Sequence, residues 1–146
     1  GLLRALDWKG TDRRELLALR EKARADFSEA AYYLRLWPDP HLALARVYVY
    51  SLLDAERAMS EFRSAERLGY RLKPREIEQQ GDAYRYRAYQ KIREGDRNGA
   101  AWYAGMARRF YERIPGYGRA DLRALEMRRY EAAARKPAQR RSRRWQ

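Results

Sequence analysis

The stretch "GDRNGAAWYAGMA", residues 95–107, decides the predicted fold. Asp96 can begin a helix, because its carboxylate accepts hydrogen bonds from the free amide groups of the first turn. Ala100, Ala104 and Ala107 follow it at helical spacing. Small side chains on one face let two antiparallel helices approach closely. The stretch therefore predicts a helix that packs against a neighbouring helix.

The same pattern recurs along the chain. An Asp stands four residues before an Ala at three places: Asp26 and Ala30, Asp54 and Ala58, and Asp96 and Ala100. After the second of these, Phe62 and Ala65 continue the inward face. Repeated helix pairs of this kind stack, each pair burying its face on the next, and so build a solenoid.

Capping residues and prolines divide the chain into helical segments. Lys73-Pro74 opens one of them, since proline is tolerated in a first helical turn. Asp26 repeats the start signal and therefore predicts a new helix there, and an apolar stripe including Leu16 and Leu19 precedes it. The predicted helical segments are residues 12–25, 26–37, 41–53, 54–69, 74–95, 96–114 and 119–136.

The run from Gly95 to Ala107 resembles the second half of a tetratricopeptide repeat. The run from Asp54 to Ala65 is similar to it too, with Phe62 at the aromatic position. The resemblance covers residues 11–114, although the spacing between the capping Asp residues is not constant. It implies an all-α fold, a right-handed superhelix of antiparallel helix pairs with a C-terminal capping helix.

This resemblance also gives a domain organisation. We expect residues 1–10 to be the remnant of a preceding helix and residues 11–118 to form three helix pairs. Residues 119–136 would be the capping helix, and residues 137–146 a disordered basic tail. Because the chain begins with Gly rather than Met, we expect it to be part of a larger repeat array.

Residue types needed for catalysis and metal binding are scarce. The chain has no cysteine and one histidine, His41, which we expect to be exposed in a turn between helices. Gly99 and Gly105 do not form a phosphate loop, because no predicted strand precedes them. We therefore predict neither an enzyme nor a metal or other cofactor.

A peptide-binding groove is the functional site that the resemblance implies. In tetratricopeptide arrays the first helix of each pair lines the concave surface. That position corresponds here to Tyr50 in the second unit and to Asp82, Arg85, Tyr86 and Tyr89 in the third. Tyrosine and arginine supply much of the binding energy at protein interfaces. The predicted function is a scaffold for a protein or peptide partner, with bacterial envelope assembly or export as the setting that analogy favours.

The charge distribution leaves an alternative open. The net charge is +13, and residues 119–146 contain ten basic and three acidic residues. Arg140, Arg141, Arg143 and Arg144 crowd the end of the chain and could bind a polyanion. A nucleic-acid-binding protein is therefore the second hypothesis. No apolar run approaches the ~18 residues of a membrane-spanning helix, so no transmembrane segment is predicted. The compartment stays open, with the bacterial periplasm or envelope favoured over the cytoplasm by analogy.

Overall fold

The computed structural model describes residues 11–33, 35 and 37–134. Within these residues the protein is all α-helical and contains no strand, which confirms the predicted class. The helices are α1 (Thr11–Tyr33), α2 (Asp39–Tyr50), α3 (Ala55–Arg67), α4 (Pro74–Arg93), α5 (Arg97–Glu112) and α6 (Ala120–Ala134). The predicted helix remnant at residues 1–10 and the predicted tail at residues 137–146 lie outside the described residues.

The helices divide between two compact units. One unit contains α1, α2 and α3 from Glu56 onward. The other contains α4, α5 and α6. Within the first unit α1 packs against α2. Within the second, α5 packs against both α4 and α6.

The predicted helix start at Asp26 is wrong, because α1 runs without a break from Thr11 to Tyr33. No glycine or proline interrupts this stretch, and the Asp26 side chain is exposed. An exposed Asp inside a helix costs only a few tenths of a kcal/mol in propensity, which is too little to end the helix. Leu16 and Leu19, the predicted apolar stripe, are exposed.

A polar contact joins α2 to α3 in the first unit. The Nδ1 atom of His41 lies 2.7 Å from Oε2 of Glu61. His41 belongs to the first turn of α2, and its side chain is half-buried. The prediction that His41 is exposed in a turn between helices is therefore wrong. Farther along, the guanidinium of Arg57 lies over the ring of Tyr48, with 5.9 Å between its Cζ atom and the ring centroid.

The capping signals of the second unit are confirmed. Pro74 occupies the first turn of α4, and the backbone N–H of Lys73 donates to the Glu76 carboxylate over 2.9 Å. Asp96 caps α5 by accepting from the backbone N–H of Gly99 over 2.8 Å. These bonds satisfy amide groups that have no partner inside a helix.

The small residues of the repeat pattern on α3 and α5 lie in the core. Ala58, Ala65, Ala100 and Ala107 are all buried, as predicted. In the second unit the core combines such alanines with a few large side chains. Its buried members are Ile77, Ala88, Ala104, Ala107, Tyr111, Ile114, Ala120, Ala124 and Met127. Alanines on α5 thus allow α4 and α6 to pack closely on either side of it.

α4 and α5 approach one another closely at Gly81. A Cβ atom placed on Gly81 would lie 2.6 Å from Cε1 of Tyr111. The Tyr111 ring is fully buried and fixed by the helices around it, so it has no room to retreat. Glycine at this position is therefore required by packing, although it weakens the helix itself.

We expect Gly81→Ala to destabilise the protein by about 1–3 kcal/mol, because overpacking against Tyr111 outweighs the better helix propensity of alanine. Gly105→Ala on α5 is the matched control, since a Cβ there would meet only the carboxylate end of Glu131, at 3.3 Å. That variant should stay within about 1 kcal/mol of wild type. Urea unfolding of both variants measures the difference, and equal stabilities would contradict the packing account.

Candidate functional site

A buried carboxylate lies where the three helices of the second unit meet. Asp82 on α4 is 2% exposed, and its Oδ1 atom accepts hydrogen bonds from all three helices. The Tyr111 hydroxyl of α5 donates over 2.5 Å, and Nη1 of Arg123 on α6 donates over 2.7 Å. Nη2 of Arg85 on α4 donates over a longer 3.4 Å. One carboxylate oxygen therefore links α4, α5 and α6.

Arg85 extends this arrangement along α4. Its Nε atom donates to the Tyr111 hydroxyl over 3.0 Å, and its Nη1 atom donates to the Tyr89 hydroxyl over 3.0 Å. The Tyr89 hydroxyl in turn donates to Oε1 of Glu126 on α6 over 2.6 Å. A continuous chain of hydrogen bonds thus runs from α5 through α4 to α6. We call these six residues the Asp82 cluster: Asp82, Arg85, Tyr89, Tyr111, Arg123 and Glu126.

Helical spacing explains why these side chains meet. Residues three and four apart lie on the same face of a helix. The cluster residues on α4 are separated by three and then four positions. On α6 the two cluster residues, followed by Tyr130, show the same two separations. The aligned positions are Asp82, Arg85 and Tyr89 on α4, and Arg123, Glu126 and Tyr130 on α6. Two helices thus present matching polar and aromatic stripes to one another.

The cluster contains two cations and two anions, and its hydroxyl groups are held in the neutral form. Burial raises the pKa of Tyr111, and the charge of Asp82 raises it further. Burial and the hydrogen bond to Glu126 raise the pKa of Tyr89. At neutral pH both hydroxyls are therefore hydrogen-bond donors to carboxylates.

Arg85 stays charged inside the cluster. Burial lowers the pKa of Arg85, but Tyr111, Tyr89 and Asp82 together raise it above its ordinary value. A buried cation is tolerated only when hydrogen bonds and an opposite charge compensate for the lost water. Asp82 and the two hydroxyls supply that compensation, so Arg85 is fixed in position.

Half-buried tyrosines surround this fixed arginine. The Cζ atom of Arg85 lies 4.8 Å from the ring centroid of Tyr86 and 5.5 Å from that of Tyr89. The Tyr89 ring lies 6.4 Å from Tyr86 and 5.7 Å from Tyr130, centroid to centroid. We call Arg85, Tyr86, Tyr89 and Tyr130 the tyrosine face. It joins α4 to α6 and leaves part of each of these side chains open to solvent.

Most of the predicted groove residues come together here. Asp82 and Arg85 are bonded, and Tyr86 and Tyr89 pack around Arg85. Asp82 lies inside the unit, where it positions other residues. Tyr50 ends α2 in the first unit and is 43% exposed, and its place in the same groove stays a prediction.

Sequence reasoning missed the contributions of α5 and α6, namely Tyr111, Arg123, Glu126 and Tyr130. The repeated spacing of three and four residues on α6 was a signal that could have indicated the last three. Tyr111 carried no such signal. The predicted polyanion-binding arginines, Arg140, Arg141, Arg143 and Arg144, lie outside the described residues.

Neither metal chemistry nor a membrane span is indicated in the part of the chain that the structure describes. No group of three or more His, Asp and Glu side chains there could hold a metal ion. No helix there combines the length and the apolar character needed to cross a membrane. The chain matches no known family model, no curated protein and no solved structure.

The raised pKa of Tyr111 predicts a loss of stability at alkaline pH. Above the ordinary tyrosine pKa of 10.0, the unfolded chain releases this proton while the folded protein retains it. The contribution of Tyr111 to the free energy of unfolding is therefore fully present below pH 10 and decreases as the pH rises further. Tyr111→Phe should cost about 1–3 kcal/mol at pH 7, because Asp82 loses a donor, and should make the alkaline fall less steep.

Chemical unfolding at several pH values between 7 and 11.5 measures both effects of Tyr111→Phe. Tyr117→Phe, at an exposed tyrosine of the loop between α5 and α6, is the control and should leave stability at pH 7 unchanged. An alkaline fall of the same steepness in wild type and Tyr111→Phe would contradict the role given to Tyr111.

Proposed function

We propose that the protein is a non-catalytic helical-repeat scaffold that holds a protein or peptide partner on its tyrosine face. The observation that carries this proposal is the fixed Arg85 surrounded by Tyr86, Tyr89 and Tyr130. These residue types dominate the energetics of protein interfaces. They also lie on two helices whose relative position is fixed by the Asp82 cluster.

Preorganisation supports binding at this surface. Immobilising a long side chain at an interface costs about 0.5–1.5 kcal/mol. Arg85 is already held by Tyr89 and Tyr111 in the free protein. Its side-chain entropy is therefore lost when the protein folds and not when a partner binds. Tyrosine rings add large contact area with few rotatable bonds. The tyrosine face is therefore suited to bind a partner without rearrangement.

The proposed architecture is a tetratricopeptide-like right-handed superhelix. Its support is the antiparallel α4–α5 pair with alanines at the contact, followed by α6 packed on α5. In such arrays the first helix of each pair lines the concave groove. With α4 as the first helix of one pair and α6 as the next, the tyrosine face occupies that groove.

The partner that fits this surface is an extended peptide or a protein loop. The two positive charges of the Asp82 cluster are matched by two negative ones, so the surface does not select a strongly charged ligand. The tyrosine rings offer apolar contact, and their hydroxyl groups offer hydrogen bonds. We therefore expect a partner rich in apolar and aromatic side chains. No cofactor is part of this proposal.

Selection of peptides from a random displayed library against the intact protein tests this function. We expect the selected peptides to lose about 30-fold or more in affinity with Tyr86→Ala, since hot-spot residues contribute at least about 2 kcal/mol. Tyr86 is half-buried and contacts Arg85 and Tyr89 of the tyrosine face, and circular dichroism of this variant checks that the helices are unchanged.

Tyr117→Ala is the matched control, because Tyr117 is an exposed tyrosine in the loop after α5. It should bind the selected peptides as wild type does. Peptides that bind Tyr86→Ala and a Tyr130→Ala variant with unchanged affinity would contradict the proposal, whatever their sequences.

A further inference from the structure

The outer side of α5 presents a second surface, which the tyrosine face does not use. Trp102, Met106 and Arg109 lie on α5, and Arg113 directly follows its last residue with a helical backbone conformation. The four residues are spaced by four, three and four positions, so they form one stripe along this side of the helix. The buried face of α5, which includes Ala104 and Tyr111, lies on the opposite side. We call these four residues the α5 outer stripe.

An exposed but well-positioned tryptophan lies in this stripe. Trp102 is 59% exposed. Its ring meets Tyr103 edge-on, with 5.0 Å between centroids and 86° between planes, and meets Tyr84 in the same way at 6.5 Å. Tyr84 is itself stacked on Phe110, with 5.7 Å between centroids and 9° between planes. An aromatic layer thus fixes the indole from one side and leaves much of it open to solvent.

Two arginines follow this tryptophan without a neutralising carboxylate. Arg109 and Arg113 are four residues apart, about one helical turn, so their Cβ atoms are separated by about 5–6 Å. Neither forms an ion pair with a carboxylate of the described residues. The nearby acidic groups are engaged elsewhere, since Arg108 binds Glu112 and Glu131, and Arg128 also binds Glu112.

This combination selects the chemistry of the partner. Like charges one turn apart are mildly destabilising by themselves and become favourable when an anion lies between them. An acidic peptide would satisfy the arginines but would leave the exposed indole face without a planar partner. A single-stranded nucleic acid satisfies both, because its phosphates pair with arginine and its bases stack on aromatic rings. The net charge of +13 favours association with a polyanion, and the exposed indole is the feature that distinguishes a nucleic acid from an acidic peptide.

We propose that the α5 outer stripe binds single-stranded nucleic acid, with a base stacked on Trp102 and backbone phosphates held by Arg109 and Arg113. This goes beyond the scaffold function, because it uses the face of α5 opposite to Tyr111 and none of the tyrosine face. A chain binding at both surfaces would connect a peptide partner to a nucleic acid.

Fluorescence anisotropy with a labelled oligothymidylate of about ten nucleotides tests the proposal on the full chain. Trp102→Ala should weaken binding about 5- to 150-fold, which is the range measured for loss of one base–aromatic stack. Trp102→Phe retains a ring and should recover most of that loss. Circular dichroism of each variant checks that the helices are unchanged.

The salt dependence tests the arginines separately. Each phosphate contact contributes about 0.7 to the slope of log affinity against log salt for a single strand. Arg109→Gln with Arg113→Gln should therefore reduce the magnitude of the slope by about 1.4. Arg119→Gln with Arg129→Gln removes the same charge from exposed positions outside the stripe and should leave the slope unchanged.

Three results would overturn the proposal. The first is no measurable binding of the oligonucleotide at low salt. The second is oligonucleotide binding that is unchanged by Trp102→Ala and by the Arg109/Arg113 pair, which would place the contact elsewhere on this basic chain. The third is that a Glu-rich peptide binds and loses affinity with Trp102→Ala, whereas the oligonucleotide does not bind. This result would assign the α5 outer stripe to an acidic protein partner. Peptide binding at the tyrosine face should be the same in all these variants.

Discussion

The second unit depends on one buried carboxylate and the donors that surround it. Removing Asp82 from water is unfavourable unless its oxygens are hydrogen-bonded and its charge is balanced. Tyr111 and Arg123 provide those donors from two other helices, and Arg85 adds a second cation from its own helix. The three helices therefore have to meet in one register, because any shift would leave a charge buried without a partner.

The packing of the unit and its exposed face both follow from this requirement. Gly81 precedes Asp82, and its lack of a side chain is what allows the Tyr111 ring to reach the carboxylate. Arg85 is held between two hydroxyls, which orients the rings of Tyr86 and Tyr89 around it. The hydrogen bonds inside the Asp82 cluster thus also fix the side chains of the exposed tyrosine face before a partner binds. The proposed peptide site is in this sense the outer layer of the Asp82 cluster.

The sequence predicted local features well and long-range ones only in part. Capping at Asp96 and the buried alanines of α3 and α5 follow from short-range patterns, and the structure confirms them. The same capping pattern failed at Asp26, because a favourable cap residue does not end a helix that nothing else interrupts. His41 was misjudged because its partner, Glu61, is twenty residues away.

The site shows the same limit. Spacing and resemblance placed Asp82, Arg85 and Tyr89 on one face of α4. In the structure Arg85 donates hydrogen bonds to both Asp82 and Tyr89, so the three side chains do share that face. They could not reveal that Asp82 faces inward, since this depends on Tyr111 and Arg123 of other helices. Contacts between residues 29 and 41 positions apart are set by the register of whole helices, which no local pattern encodes.

A double-mutant cycle between Asp82 and Arg123 tests the central claim most directly. These residues belong to α4 and α6, which are joined here by side chains. Unfolding free energies of Asp82→Asn, Arg123→Gln and the double variant give the coupling between them. We predict a coupling of about 0.5–3 kcal/mol, as expected for two contacting residues of one hydrogen-bond network. A coupling below about 0.5 kcal/mol, the value typical of independent sites, would show that this contact does not hold the helices together.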